Sequence, residues 1–397
     1  MRVKLTPTFT SGKIKNMFYL INNCGKELVN CIDKEMAKGK SVVVKDTVAR
    51  YSTDVIASCA FGINANALAD PNCEFRATMR KVFEPTNSQK FVGLLSIFAP
   101  WLRKIYRKES ISNEIFEYVR RTFWDVAEHR KKNGVARKDF VDILMQIKHE
   151  GEVQAEDSKD AEEIKQDSKY INLGKLKTDK SDIKLEDDDF AAQAFVFIVA
   201  GFETSSSVIT FALYELARNP AIQDRLRREI QTVLDKNNSE VTYEAIADMT
   251  YLEMVVSETL RKYPTVPQVE RRCLQDYKIP GSKITIEKGT YVTISVLGIH
   301  WDPAIYPEPD RFDPERFTPE NKSKRPSFTH IPFGEGPRIC IGMRFGQMQV
   351  KTALVHILTS YQVRTCAETP QPPLGIKPFS GVNAPKKDIV LAFSKLM

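Results

Sequence analysis

The chain has 397 residues and a mass of 45.2 kDa, room for two or three ordinary domains or one large one. Hydrophobic residues make up 42% and charged residues 27%, which excludes a disordered or low-complexity protein. The net charge of +7 is evenly dispersed; it suits a basic docking face at most and excludes a dedicated nucleic-acid binder.

The seven cysteines are an odd number with no CxxC, so a disulfide framework is not expected and a reducing milieu fits. Five scattered histidines without HExxH exclude the common zinc-hydrolase pattern. Ser11-Gly12-Lys13 lacks the upstream Gly and following Ser/Thr of a phosphate loop. Gly334-Glu335-Gly336 opens like a dinucleotide fingerprint but has no closing Gly, and no GxSxG is present. The chain opens MRVKLTPTFT with no apolar leader, and its longest apolar run, Ala191 to Phe202, is shorter than the roughly 20 residues a membrane span needs.

In chain order, helical periodicity predicts helices at 12–38, 43–60, 111–133, 184–218, 221–236 and 251–262. Glu150 to Asp189 is rich in Asp, Glu and Lys and reads as a solvated insertion or linker before the 184–218 helix, not as a domain boundary. Asn219-Pro220 separates two helices, with Asn as N-cap and Pro at the first helical position. Of 21 prolines, 5 precede residue 263 and 16 follow it, so the last third reads as loops, short strands and one late helix. Lys283 to Ser295 alternates around Lys288-Gly289 and predicts a hairpin, and Asp388 to Phe393 predicts a last strand.

Three segments carry chemistry. Residues 191–207, AAQAFVFIVAGFETSSS, form a helix apolar on nearly all sides, which marks a core helix. Gly201, Glu203 and Thr204 interrupt it, which suggests a local opening beside a cavity; a helix that merely surfaces at Glu203 is the bland alternative. Glu258 and Arg261 are i,i+3 neighbours before Tyr263-Pro264, either an exposed pair or part of a buried network. PFGEGPRICIGMRFG (332–346) is a Gly-rich loop ahead of a helix, Met343 to Ser360. That geometry aims backbone N–H groups and a helix N-terminus at the Cys340 sulfur, features that depress a thiol pKa. Arg338, two residues earlier, can reach an anionic group on a flat ligand, which matches an iron porphyrin with its acidic propionates. An inert buried cysteine is the alternative here.

These residues resemble the cytochrome P450 family. FGEGPRICIG matches the haem signature F-x-x-G-x-R-x-C-x-G at Phe333, Gly336, Arg338, Cys340 and Gly342. Residues 200–205, AGFETS, look like the family's oxygen-activating I-helix motif. Glu258-Thr259-Leu260-Arg261 looks like its E-x-x-R motif, and Pro314-Glu315-Arg316-Phe317 like its P-E-R-F motif. The opening RVKLTPTFTSGK is similar to the middle of the C helix of eukaryotic microsomal members, and the insect-type xenobiotic-metabolising clan is the nearest in kind.

The resemblance implies a mainly α fold with small β-sheets. It also implies a single domain over 1–397 that lacks the N-terminal part of the family fold, where a membrane anchor, the first strands and the C-helix tryptophan belong. Haem b would be the cofactor, with Cys340 as axial ligand of its iron, Arg338, Arg271 and Arg2 on the propionates, and Phe333 beside the sulfur. Thr204 and Glu203 would help deliver protons during oxygen activation. Glu258, Arg261 and Arg316 would form a structural triad that steadies the cysteine pocket. Phe195, Val199 and Phe202, with Thr265 to Gln268 and the turn around Phe379 to Val382, would line a pocket for a small lipophilic substrate.

The implied activity is that of a haem-thiolate monooxygenase. NADPH would supply electrons indirectly, through an NADPH-cytochrome P450 reductase docking near Arg344 and Lys351, with cytochrome b5 as a second donor. The implied location is the cytoplasmic face of the endoplasmic reticulum membrane. Two other expectations stand beside this one: a catalytically impaired chain or incomplete gene model that binds haem poorly, and a haem-thiolate isomerase or dehydratase. The acid–Thr pair argues against the second.

Overall fold

The computed structural model describes residues 2–39, 41–83, 113–151, 153, 162–163, 185–377 and 382–396. The helices are α1 (Arg2–Leu5), α2 (Ser11–Lys38), α3 (Val44–Ile56), α4 (Glu74–Phe83), α5 (Asn113–Asn133), α6 (Phe140–Glu150), α7 (Asp187–Arg218), α8 (Pro220–Lys236), α9 (Tyr243–Asp248), α10 (Thr250–Lys262), α11 (Val296–His300), α12 (Pro319–Lys324) and α13 (Met343–Ser360). The strands are β1 (Ser41–Val43), β2 (Gln268–Arg272), β3 (Tyr277–Lys278), β4 (Thr285–Ile286), β5 (Tyr291–Ser295), β6 (Tyr361–Thr365) and β7 (Val390–Lys395). The fold is mainly α with small antiparallel sheets.

The α7 helix is the axis of the core. Ile209, Phe211, Ala212, Leu213 and Tyr214 are fully buried on successive faces, which only a helix surrounded by protein permits. Its start is closed by a capping box in which Glu186 and Asp189 exchange side-chain and backbone bonds. Among the described residues it alone is long and apolar enough to cross a membrane, yet 61% of its most apolar stretch is buried inside the protein. The α3 helix packs along α7, while α13 lies against both α7 and α2.

The predicted opening at Gly201 is absent: α7 runs unbroken, and Gly201 is instead a packing notch. A Cβ there would sit 2.4 Å from Ile56 Cδ1 of α3. Asn219 is the N-cap of α8, with Pro220 at the first helical position, but its side chain makes no cap bond to that helix. Its amide donates backward to Glu215 O at 2.8 Å and so closes the end of α7.

The predicted hairpin also resolves differently. Lys288-Gly289 does turn, with Gly289 at φ +93°. The two flanking strands take other partners: β5 pairs with β2 (Gln268↔Ser295 to Arg272↔Tyr291) and β4 with β3. Alternation reports a half-buried strand, not its partner. The last strand runs beside both β6 and β1. Most of the charged stretch 150–189, residues 111–112 and Phe379 lie outside the described residues. All seven cysteines are free thiols.

Three histidines, His300 and His356 buried and His330 partly so, are held neutral in this core. Burial pushes His300 down to about 4, His330 to about 3 and His356 to about 4, from an ordinary 6.5. His300 Nε2 accepts the Ile331 N–H at 3.0 Å, and His356 Nε2 pairs with Asn22 Oδ1 at 2.7 Å. Because the folded values are lowered, their contribution is complete above pH 6.5 and drains away as pH falls toward 4. Denaturant unfolding at pH 7 and pH 5 is expected to show that loss, at roughly 1.4 kcal/mol per pH unit for each group titrating in the unfolded state alone. His356→Gln is expected to make the slope shallower; an unchanged slope refutes the assignment.

Candidate functional site

Cys340 closes a loop that leads directly into α13. Gly334 and Gly336 both take φ +73°, where a side chain is strained. Two backbone bonds fix the loop: Cys340 N–H to Phe333 O at 2.9 Å, and Ile339 N–H to Gly336 O at 3.0 Å. The Gly342 N–H donates to the sulfur, and α13 begins one residue later. Arg2, at the start of α1, donates to Ile339 O and places its charge near the thiol.

The sequence predicts a depressed thiol pKa from these features. The structure corrects this: burial pushes the Cys340 thiol above its ordinary value, and the Gly342 N–H and Arg2 only oppose it. The sulfur is accessible, but from inside a cleft whose apolar walls desolvate an anion. A bound cation inverts that balance and holds the thiolate.

The cleft lies between α7 and α13 and holds about 770 Å³ of empty space, counting its open mouth. Phe9, Ile56, Leu260, Phe333, Ile341, Phe345 and Val350 form its walls, with Cys340 and Thr204 among the few polar groups. On α7 the lining residues are Val196, Phe197, Ala200, Gly201, Thr204, Ser205 and Val208, one stripe of a 3.6-residue period. Phe195, Val199 and Phe202, expected there, sit on other faces: Phe195 and Val199 belong to the core, and Phe202 meets Phe83 with ring centroids 5.7 Å apart. Of the other expected lining residues, Thr265 is in the wall and Val382 is buried.

Thr204 Oγ1 donates to Ala200 O at 2.6 Å and faces the cleft. Glu203 turns away from it. Its Oε1 lies 2.8 Å from Lys45 Nζ, which also donates to Ser206 Oγ at 2.8 Å and Ser207 Oγ at 2.9 Å. Burial lowers the Lys45 pKa, and Glu203 opposes the shift. Lys45 went unread in the sequence. The available signal was its place on the buried stripe of α3 with Val48, Ser52 and Val55.

The remaining residues fall in two groups. Glu258 and Arg261, both with no exposed side-chain area, form a bidentate pair at 2.7 and 2.8 Å, and Arg316 Nε stands 3.5 Å from the same carboxylate. Arg338 is exposed and makes no ion pair or hydrogen bond among the described residues. Arg271 donates to Glu270 O at 2.8 Å and is not in the cleft wall.

This donor set is selective. Among the described residues no group of three His, Cys, Asp or Glu side chains could hold a metal ion. A lone thiol in an apolar cleft suits a metal that brings its other ligands with it, in a flat organic ring. Arg2, whose charge lies near the thiol, and the exposed Arg338, two residues before it in the loop, suit acidic groups on that ring. Haem fits these residues.

Comparison with known proteins supports the same reading. The family model for cytochrome P450 matches residues 1–392. Cytochrome P450 6k1 of Blattella germanica is 45% identical over 395 residues, covering 100% of this chain and 73% of the relative. Cytochrome P450 6j1 of the same organism is 44% identical, over 93% of this chain and 68% of the relative. Cytochrome P450 6a2 of Drosophila melanogaster is 42% identical, over 96% of this chain and 72% of the relative.

Proposed function

Because this chain belongs to the cytochrome P450 family and is a monooxygenase of it, we propose that it oxidises a small lipophilic substrate with electrons from an NADPH-dependent flavoprotein reductase. One oxygen atom enters a C–H bond and the other leaves as water, with two electrons and two protons consumed. The observation that carries the reading is the Cys340 thiol opening onto an apolar cleft that also contains Thr204.

Cys340 would hold the iron of haem, which supplies the oxygen-activating redox chemistry when bound. Arg2 and Arg338 would bind its acidic edge, and Arg271 would join them only by leaving Glu270 O. Thr204 would hold a proton at Oγ1 on the cleft side. Glu203 would act from behind it, its carboxylate oriented by Lys45. Phe333 would shield the sulfur from water. The Glu258–Arg261–Arg316 cluster touches none of these atoms and would serve the fold of the loop region.

The apolar wall accounts for a lipophilic substrate. Arg344, on the first turn of α13, and Lys351, two turns later, would mark the docking face for the reductase and for cytochrome b5. The cytoplasmic face of the endoplasmic reticulum membrane would be the site of action.

The test is the spectrum of the reduced, carbon monoxide-bound protein. The chain loaded with haem is expected to show the thiolate-type Soret band, and Cys340→Ser to lose it. A Cys340→Ser variant that keeps that band sinks the ligand assignment.

A further inference from the structure

We propose that Glu163 is an internal occupant of the electron-donor docking face and competes there with a carboxylate of the partner. The inference rests on the reading that the donor docks near Arg344 and Lys351. Glu163 comes from the acid-rich stretch between α6 and α7, and its carboxylate reaches across 152 positions of chain to the start of α2. Its Oε2 accepts the Ser11 N–H at 2.9 Å, and its Oε1 accepts the Ser11 hydroxyl at 2.7 Å. The same Oε2 lies 3.9 Å from Arg344 Nη1, and the Glu163 side chain is only 15% exposed.

Three features make this seat one that a foreign acid would also seek. The α2 helix is 28 residues long, and Thr10, at its N-cap, makes no side-chain cap bond. A helix N-terminus favours an anion, and Glu163 supplies one at Ser11. Arg344 follows Cys340 by four positions, so a donor protein that comes near the cysteine loop meets it. Lys351, the second cation expected on that face, is likewise held by an internal acid: Glu253 Oε2 lies 2.6 Å from its Nζ. Both cations of the docking face are thus already engaged with carboxylates of this chain. A partner's acidic side chain that takes the Ser11 seat beside Arg344 must displace Glu163, which as part of the same chain competes at a high effective concentration.

The experiment is a binding titration of the haem-loaded full chain with soluble NADPH-cytochrome P450 reductase at low and high salt. Glu163→Gln removes the charge and is expected to tighten binding by about 3–10-fold at low salt, the gap closing at high salt. Ser11→Ala weakens the same seat without touching Arg344, is expected to move affinity in the same direction, and serves if Glu163→Gln folds poorly. Arg344→Gln is expected to weaken binding. If Arg344→Gln weakens binding while Glu163→Gln and Ser11→Ala do not tighten it, Glu163 is only a helix cap and the inference fails alone. If Arg344→Gln has no effect, the docking reading falls and takes the inference with it.

Discussion

Replacing Arg261 with methionine is expected to cost about 3–5 kcal/mol of folding stability. The guanidinium is fully buried and is spent entirely on fixed partners. It donates twice to Glu258, and once each to the carbonyls of His300, Pro309 and Arg311 at 3.2, 2.8 and 3.3 Å. Those carbonyls belong to the segment that runs from α11 toward Arg316, so one side chain ties α10 to that whole connection. Methionine fills much of the volume and satisfies none of these acceptors. It also strands Glu258, which has no exposed area, and whose pKa burial already raises against the pull of Arg261. The Asp313 N–H at 2.9 Å and Arg316 at 3.5 Å are too little to hold the charge alone. Equilibrium unfolding in urea measures the loss. A second variant separates charge from packing: Glu258→Leu with Arg261→Met is expected to be less destabilised than Arg261→Met alone, because no buried charge is left without a partner. Simple additivity of the two substitutions would show that the pair is not coupled.

What the sequence made legible follows from how local each signal is. The α2, α7, α8, α10 and α13 helices are readable because long apolar periodicity and Pro or Gly punctuation are properties of one segment. The cysteine loop is readable for the same reason: its glycines, arginine and thiol lie within eleven residues of sequence, 332–342. Strand partners are not local. The alternation of 283–295 identifies β4 and β5, but β2 and β3 claim them through chain that the period does not mention. The α7 lining failed for a different reason. Phe195, Val199 and Phe202 have the apolar character a lining needs, but helical phase decides which side chains reach the cleft, and phase selects Ala200, Gly201 and Thr204. Small residues on that stripe are what leave the cleft open. The partner of Glu203 is not local either: Lys45 lies 158 positions away, and its place on the buried stripe of α3 signals burial without naming the partner. The thiol pKa went wrong in sign because a loop sequence shows the donors around the sulfur but not the apolar walls brought in by α3, α7 and α10.

Gly62→Ala is expected to be the second severe substitution, at about 4–6 kcal/mol, and its mechanism can be isolated with a matched control. Gly62 ends the π-turn after α3 at φ +64°, and Gly134 follows α5 at nearly the same angle, +62°. An alanine at either position pays about 1–2 kcal/mol for the left-handed backbone. What differs is the space. A Cβ at Gly134 meets nothing within 4 Å, whereas at Gly62 it falls 1.7 Å from Arg130 Nη2 and 2.9 Å from Asp139 Oδ2. Arg130 is 7% exposed and grips the wholly buried Asp139 bidentately at 2.7 and 2.6 Å, with Asp142 at 2.5 Å. The guanidinium cannot retreat without leaving the wholly buried Asp139 with only Arg137 Nε, at 3.7 Å, as a cationic partner. Arg137, which donates to Gly62 O at 2.6 Å, is drawn into the same disturbance. Urea unfolding of the two variants side by side reads the difference: Gly134→Ala shifts the midpoint slightly, and Gly62→Ala shifts it by the further cost of breaking the Arg130–Asp139 pair. Equal shifts would mean that the pair moves freely, and that the glycine at 62 is there for its backbone alone.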